Sequence, residues 1–330
     1  MTLNYDALTA LTRDKFMPIL IDNIFNSNVL CHRLLKNAEK LSGGVKIVTP
    51  VEYAKNSAEG FYNGYDVLNT TPSDPFTGAE WNWKQAYASI TLSGAEEMKN
   101  AGDSQILGLL KAKMKNAEKS LKDMFGDKMF VDTPASANDI TSLGQGSSND
   151  NGITNTSRSL GGIDSTSYSW WDSGIVKDGS GATALADYTT VGNTYYLPQL
   201  MANVMSACSI DNDRPSIIIG GPAEYDLYES VLSDSKRYIN NQSLADAGFL
   251  NLAFRNTPFV VDSHAPHGFI YFLNEEYLDF KVHSKRNFAF DGFKKPTNQD
   301  AMVAQIYWMG ELTCTNPRMQ GILKLDGTLY

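Results

Sequence analysis

The densest cluster of chemistry-bearing side chains is Asp262-Ser263-His264-Ala265-Pro266-His267, three potential metal ligands within six residues. A metal site needs its ligands aimed at one point. Pro266 prevents the regular helix that would present two imidazoles from one face, and no further His or Cys lies close in sequence. The segment reads as a turn, and no metal is expected. Ile217-Ile218-Ile219-Gly220-Gly221-Pro222 has the outline of a strand feeding a phosphate-binding turn. It matches neither G-x-x-x-x-G-K-S/T nor G-x-G-x-x-G, and Pro222 removes an N–H that a phosphate cradle would use. Gly179-Ser180-Gly181 and Gly146-Ser147 lie in loop-like sequence, not at a strand-to-helix elbow, so a serine nucleophile has no support. The acid pairs Glu96-Glu97 and Glu275-Glu276 are accounted for by a helix start and a hairpin turn. With only 4 His in the chain, no catalytic, metal or cofactor-binding residue is assigned, and the chain reads as a non-enzyme. Trp170-Trp171 keeps open a different reading, a stacking platform in a carbohydrate-binding module or loop-rich enzyme.

At 330 residues, with 42% hydrophobic and 20% charged residues, the chain reads as globular with room for two domains. No apolar run approaches the ~20 residues of a membrane span. The opening MTLNYDALTALTRDKF lacks the basic and apolar regions of a signal peptide, so folding in a cytoplasm is expected. Cys31, Cys208 and Cys314 form no C-x-x-C pattern and read as isolated thiols. Lys plus Arg number 28 against 37 Asp plus Glu, a net charge of -9, which opposes a broad grip on phosphate backbones.

The elements follow from periodicity. Residues 1–42 read as an arm with apolar residues at roughly helical spacing, ending at Ser42-Gly43-Gly44. Val45–Thr49 and the alternating Trp81–Ile90 read as the two strands of a very long hairpin, with Gly-, Asn- and Pro-rich residues 54–80 between them. A two-stranded ribbon is marginal in water. One carrying Phe61, Tyr62, Tyr65, Phe76, Trp81 and Trp83 therefore needs support from outside its own core. Ser93 with Glu96 is a capping box, and Ile106, Leu110, Met114, Ala117, Leu121 and Phe125 recur at steps of three and four, which predicts a helix over Asp103–Phe125 with Lys111, Lys115, Lys119 and Lys122 on its solvated side. Gly102 is a candidate break before it. Residues 131–194 are polar and loop-like; alone they would tend to disorder, so partner chains are one candidate for holding them. From Thr194 the pattern turns α/β, with strands expected at 215–219, 249–254, 258–262, 269–273, 277–284, 301–314 and 321–325, and a basic loop Lys294-Lys295-Pro296-Thr297-Asn298.

This order of arm, ribbon, long Lys-flanked helix, α/β region and closing long strands resembles the major capsid proteins of tailed bacteriophages, the Hong-Kong-97-like fold. It is carried by Ala86–Gly94 running into the helix at Ala95–Phe125, by Arg214–Pro222 and by Asn256–Val261. The resemblance covers essentially the whole chain and implies an α+β fold with an N-arm (1–42), an extended E-loop hairpin (43–92) and a P-domain spine helix (93–130). An α/β A-domain with a polar insertion (131–268), P-domain strands and P-loop (269–312) and a C-terminal strand returning to the A-domain (313–330) would follow. It implies self-assembly in hexamers and pentamers into an icosahedral head shell, formed in the host cytoplasm, that encloses double-stranded DNA without binding it specifically. Scaffolding, portal and decoration proteins are candidate partners, and no cofactor is implied. Tyr65, Trp81 and Trp83 would touch an adjacent subunit, and Lys294, Lys295 and Asn298 would lie on the P-loop near a local threefold. Some members weld subunits through a Lys–Asn isopeptide bond assisted by a Glu; Lys55 and Asn298 are the nearest placements, and no Glu matches. With only a short arm before the ribbon, no large N-terminal scaffolding segment is expected. An encapsulin-like compartment shell shares the architecture and is the alternative within it.

Overall fold

In this computed structural model the described residues are 28–56, 58–72, 74–99, 103–147, 151–173, 176–179, 182, 184–232, 251–297 and 299–326. The arm up to residue 27, Gly102 and Asn298 lie outside them, as do the side chains of Ile106, Leu110, Lys111 and Lys122.

The chain enters through α1 (Val29–Lys36), whose N-cap Asn28 accepts the Cys31 N–H at 3.1 Å and which buries Val29, Leu30, Cys31 and Leu34. After it come β1 (Glu39–Leu41), the ribbon strands β2 (Ile47–Glu52) and β3 (Phe76–Trp81), β4 (Lys84–Ser93), α2 (Gly94–Lys99) and α3 (Asp103–Met129). The capping box forms: Glu96 N–H donates to Ser93 Oγ at 3.2 Å and Ser93 N–H to Glu96 Oε2 at 3.1 Å. α3 has 27 residues, about 40 Å at ~1.5 Å per residue. Its Met114, Ala117, Leu121, Phe125 and Met129 are buried at steps of three and four.

The rest of the chain supplies two short strands β5 (Ser159–Leu160) and β6 (Ile163–Asp164), then β7 (Val176–Gly179), α4 (Leu185–Thr189), α5 (Leu197–Ala207), β8 (Ile217–Gly220) and α6 (Pro222–Val231). β9 (Asn251–Phe254), β10 (Thr257–Val261), β11 (Phe269–Leu273), β12 (Leu278–His283), β13 (Ala289–Lys294), β14 (Ala301–Cys314) and β15 (Gly321–Leu325) complete it. One sheet of five strands is organised on β14: β4 pairs along one side, β13 and β12 along the other, and β1 adds in parallel to β12. α3 covers this sheet, with Phe125 set edge-on to Trp308 at 4.9 Å. The second sheet has the order β7-β15-β11-β8-β10-β9. α5 and α6 pack on it through Met201, Val204, Leu227 and Tyr228.

Three expectations need correction. The stretch Trp81–Ile90 is not one strand, because the chain leaves β3 at Trp81 and begins β4 at Lys84; Asn82 and Trp83 turn it from the ribbon into the β14 sheet. The strand at 269–273 does not join the β14 sheet. β11 lies between β8 and β15 in the six-stranded sheet, so the boundary between the two sheets falls after Leu273. Within the polar stretch 131–194, the loop up to Ser173 is held by its own chain. Arg158, whose side chain is wholly buried, donates to Ile153 O at 2.7 Å, to Asn155 O and to Asp172 Oδ1 at 3.1 Å. Asn155 Oδ1 accepts the Gln145 and Ser147 N–H groups at 2.9 and 3.1 Å, and Tyr271 O–H reaches Gly144 O at 2.9 Å. Backbone groups that such a loop would otherwise leave to water find partners in this network.

Candidate functional site

Among the described residues, none of the enzyme-like segments assembles into a reactive site. His264 and His267 face different acids: His264 Nδ1 is 3.4 Å from Asp262 Oδ1 and Nε2 is 4.0 Å from Asp123, whereas His267 Nδ1 is 2.7 Å from Glu224 Oε1. Among the described residues no cluster of three or more His, Cys, Asp or Glu could hold a metal ion. The His264 imidazolium is favoured by its hydrogen bond to Asp262, against a smaller opposing effect of burial, so its pKa is raised. The Gly220-Gly221 turn is filled from within: a Cβ at Gly221 would lie 2.5 Å from Glu224 Oε2 and one at Gly220 would lie 2.9 Å from the Phe259 ring. Ser147 donates to Asp132, while Ser180 and Gly181 lie outside the described residues. All three cysteines are buried.

The Trp170-Trp171 platform is also spoken for. Trp171 is buried with its indole N–H on Leu160 O at 2.9 Å, and Tyr53 stacks on Trp170 at 5.4 Å and 23°. The carbohydrate reading needs an open ring face of the kind that Tyr53 covers.

The surface that remains is the ribbon. β2 and β3 pair antiparallel from Ile47↔Trp81 to Glu52↔Phe76, with Ile47, Thr49 and Val51 buried on one face. The ribbon root is anchored in several places. Glu80 N–H donates to Gly161 O at 2.8 Å, and Tyr53 closes the neck through its N–H to Pro75 O at 2.9 Å and its O–H to Asp74 O at 2.7 Å. Beyond the neck, an Asn63–Asp66 turn holds the tip, with Asp66 N–H on Asn63 O at 2.7 Å. Phe61, Tyr62, Tyr65, Val67 and Leu68 stand exposed there, joined along the ribbon by Val48 and Phe76. An ordered row of exposed apolar side chains of this size marks an interaction surface.

The residues expected to touch a neighbour divide. Tyr65 is fully exposed. Trp83 is half-buried at the ribbon root, its indole N–H on Gly44 O at 2.9 Å and its ring edge-on to His283 at 5.9 Å. Trp81 is 5% exposed and packs against Gly161 and Ala79 of its own chain, so it is a core residue here and not a surface contact. Its place at the end of β3, where the ribbon meets the body, is the reason. Lys294 and Lys295 are exposed but each meets an acid, Asp291 at 2.6 Å and Asp300 at 3.0 Å, which neutralises the loop. Asn298 lies outside the described residues.

A buried carboxylate beside the ribbon root escaped the sequence reading. Glu311 on β14 is 1% exposed and its Oε1 accepts the N–H groups of Thr141 at 2.7 Å and Leu312 at 3.0 Å. Burial pushes its pKa up to about 7 against the lowering effect of those bonds and of Lys84. No local signal marks it, because Glu311 falls in the opposite register to the inward-facing Ala304, Ile306, Trp308 and Leu312, and the Thr141 segment that covers it is distant in sequence.

No family model matches the sequence, and no curated protein matches it. Solved structures do. The capsid asymmetric unit of Cyanophage A-1(L) is similar at a TM-score of 0.62 and 12% identity over 90% of this chain and 92% of that one. The capsid of the native GTA particle is similar at 0.56 and 11% identity, covering 89% and 90%. The holo-SrpI encapsulin complex from Synechococcus elongatus PCC 7942 is similar at 0.51 and 9% identity, covering 90% and 89%. The chain therefore has the α+β fold of tailed-phage capsid proteins, which encapsulin shares.

Proposed function

We propose that this chain is the major capsid protein of a tailed bacteriophage. It assembles through hexamers and pentamers into an icosahedral head that encloses double-stranded DNA, in the Hong-Kong-97-like arrangement of N-arm, E-loop, P-domain and A-domain. The observation that carries this reading is the ordered ribbon. It projects a row of aromatic and aliphatic side chains that stand exposed among the described residues. The fold's likeness to capsid subunits along nine tenths of the chain supports it. A heterologous contact repeated under closed symmetry makes shells, and such a contact needs a projecting element on each copy. The net charge of -9 suits a wall that contains DNA without adhering to it. Assembly takes place in the host cytoplasm with scaffolding, portal and decoration proteins as candidate partners, and Lys294, Lys295 and Asn298 lie near a local threefold.

The likeness to the SrpI encapsulin complex favours a second reading, a compartment shell around protein cargo. Expression of the chain, alone and with its neighbouring genes, followed by negative-stain electron microscopy and analysis of particle contents tests both. Closed shells that protect DNA from nuclease support the phage head. Shells that hold protein and no DNA turn the reading to a compartment, and a chain that forms no particle under any condition overturns both.

A further inference from the structure

Asn-Gly occurs twice in the chain, at Asn63-Gly64 and Asn151-Gly152. It is the dipeptide in which a backbone amide most readily attacks the preceding side chain, because glycine sets no Cβ beside the attacking nitrogen and lets the backbone turn. The fold treats the two copies differently. Asn63 opens the turn at the ribbon tip, with its own N–H on Asp66 Oδ2 at 2.8 Å and its carbonyl accepting the Asp66 N–H at 2.7 Å. Gly64 N–H donates to Asn63 Oδ1 at 3.0 Å, so the nitrogen already lies against the carboxamide. Residues 61–70 are all exposed, and a Cβ built on Gly64 would find no described atom within 4 Å. Ring closure there displaces no described neighbour. Asn151 is also exposed, but Gly152 is buried: a Cβ on it would lie 2.4 Å from Gly144 Cα and 2.8 Å from Asn155 Nδ2. The Gly152 carbonyl accepts the Asn155 N–H at 3.2 Å, and the next N–H, of Ile153, donates to Ser142 O at 2.9 Å. A backbone held against packed neighbours cannot swing its nitrogen onto a side chain.

We propose that Asn63-Gly64 is a site of spontaneous self-modification, at which the ribbon tip loses an amide and gains a carboxylate. The Gly64 nitrogen bonds to Asn63 Cγ, and its proton passes through solvent to the leaving nitrogen. The Cγ–Nδ2 bond breaks, ammonia departs and a succinimide ring is closed. Water then adds to one of the two ring carbonyls, and the bond from that carbon to the Gly64 nitrogen breaks. Opening at Cγ leaves an aspartyl residue. Opening at the main-chain carbonyl leaves an isoaspartyl residue, whose chain runs through the former side chain and is longer by a methylene. Either product sets a new negative charge beside Asp66, and the isoaspartyl form removes the carbonyl that the Asp66 N–H uses to hold the turn. The chemistry is independent of the shell reading, but its consequence rests on it. A tip that seats exposed Tyr65 and Val67 on a neighbour carries a clock that runs while the subunit is free.

Tryptic mapping of the folded subunit, held in mildly alkaline buffer and sampled over days, is the test, because the two sites fall in separate peptides, 56–84 and 129–158. Peptide 56–84 should gain the mass of an amide-to-acid conversion at Asn63 and split into aspartyl and isoaspartyl forms, while Asn151 keeps its amide. In urea both sites should convert at comparable rates, which assigns the difference to the fold. Asn63→Gln should lose the gain in 56–84. An intact amide at Asn63 in the folded subunit, or conversion at Asn151 as fast as at Asn63, overturns the proposal. Wild-type subunit aged in this way should give a smaller particle fraction on a sedimentation gradient than fresh subunit, whereas aged and fresh Asn63→Gln should give the same. Equal fractions from aged and fresh wild type overturn the clock and leave the shell reading standing. A fresh chain that forms no particle overturns the shell reading and leaves the chemistry at Asn63 standing.

Discussion

Replacing Glu311 with Gln tests whether the buried acid beside the ribbon root costs stability, and the sign depends on pH. The folded carboxyl titrates at about 7 against an ordinary value of 4.5, because burial raises it more than its backbone donors and Lys84 lower it. Below pH ~4.5 both folded and unfolded chains hold the proton, and the group contributes nothing to the pH dependence. Between ~4.5 and ~7 the unfolded chain releases the proton while the folded chain keeps it, so stability falls as pH rises. Above ~7 the penalty is complete. The difference of roughly two and a half units at ~1.4 kcal/mol each amounts to about 3 kcal/mol as an upper figure. Gln keeps an oxygen where Thr141 and Leu312 donate and removes the titration. Urea unfolding of the disassembled subunit, followed by tryptophan fluorescence at pH 4.5 and pH 8, is the assay. The variant should match the wild type at the lower pH and exceed it at the higher by up to about 3 kcal/mol. A variant less stable than the wild type at pH 8 would refute the reasoning, since it would mean that the charged carboxylate stabilises its surroundings.

Three further outcomes follow from the same geometry. Trp81→Ala should destabilise the isolated subunit by about 3–5 kcal/mol because it empties a buried site, while Tyr65→Ser should leave subunit unfolding unchanged and reduce assembly; thermal melts and particle yield separate the two. Arg158→Met should cost about 1–3 kcal/mol, read from denaturant midpoints, because it leaves the Ile153 carbonyl without its donor and removes one of two donors from Asn155 O and Asp172 Oδ1, which keep Ser173. His264 has a raised folded pKa, so its contribution is complete below the unfolded value near 6.5 and is lost as pH rises through the folded one. The His264→Gln variant should lose that pH dependence above ~6.5, read from urea midpoints and from the imidazole proton resonances.

Local signals were the legible part. The Ser93–Glu96 box, the steps from Met114 to Phe125 and the long strand 301–314 all follow from residues close in sequence, where caps and periodicity act. What escaped was non-local. Nothing in Trp81-Asn82-Trp83-Lys84 declares that the chain changes sheets there, because alternation continues through both strands. β11 is apolar at every position from Ile270 to Leu273, a pattern that fits a central strand of either sheet. The loop 131–173 reads as polar because the partners of Asn155 and Arg158 are backbone groups brought together only by folding. Trp81 and Tyr65 lie on one hairpin in sequence. Their difference in burial arises because Gly161 and Ala79 close over Trp81, whereas Tyr65 stands exposed among the described residues.

Sedimentation velocity of the purified chain, with electron microscopy of the fast fraction, tests the shell reading most directly. It predicts a discrete fast boundary of closed particles that denature to 36.3 kDa subunits. A single boundary at the mass of one subunit, unchanged by concentration or by co-expressed neighbouring genes, would contradict it.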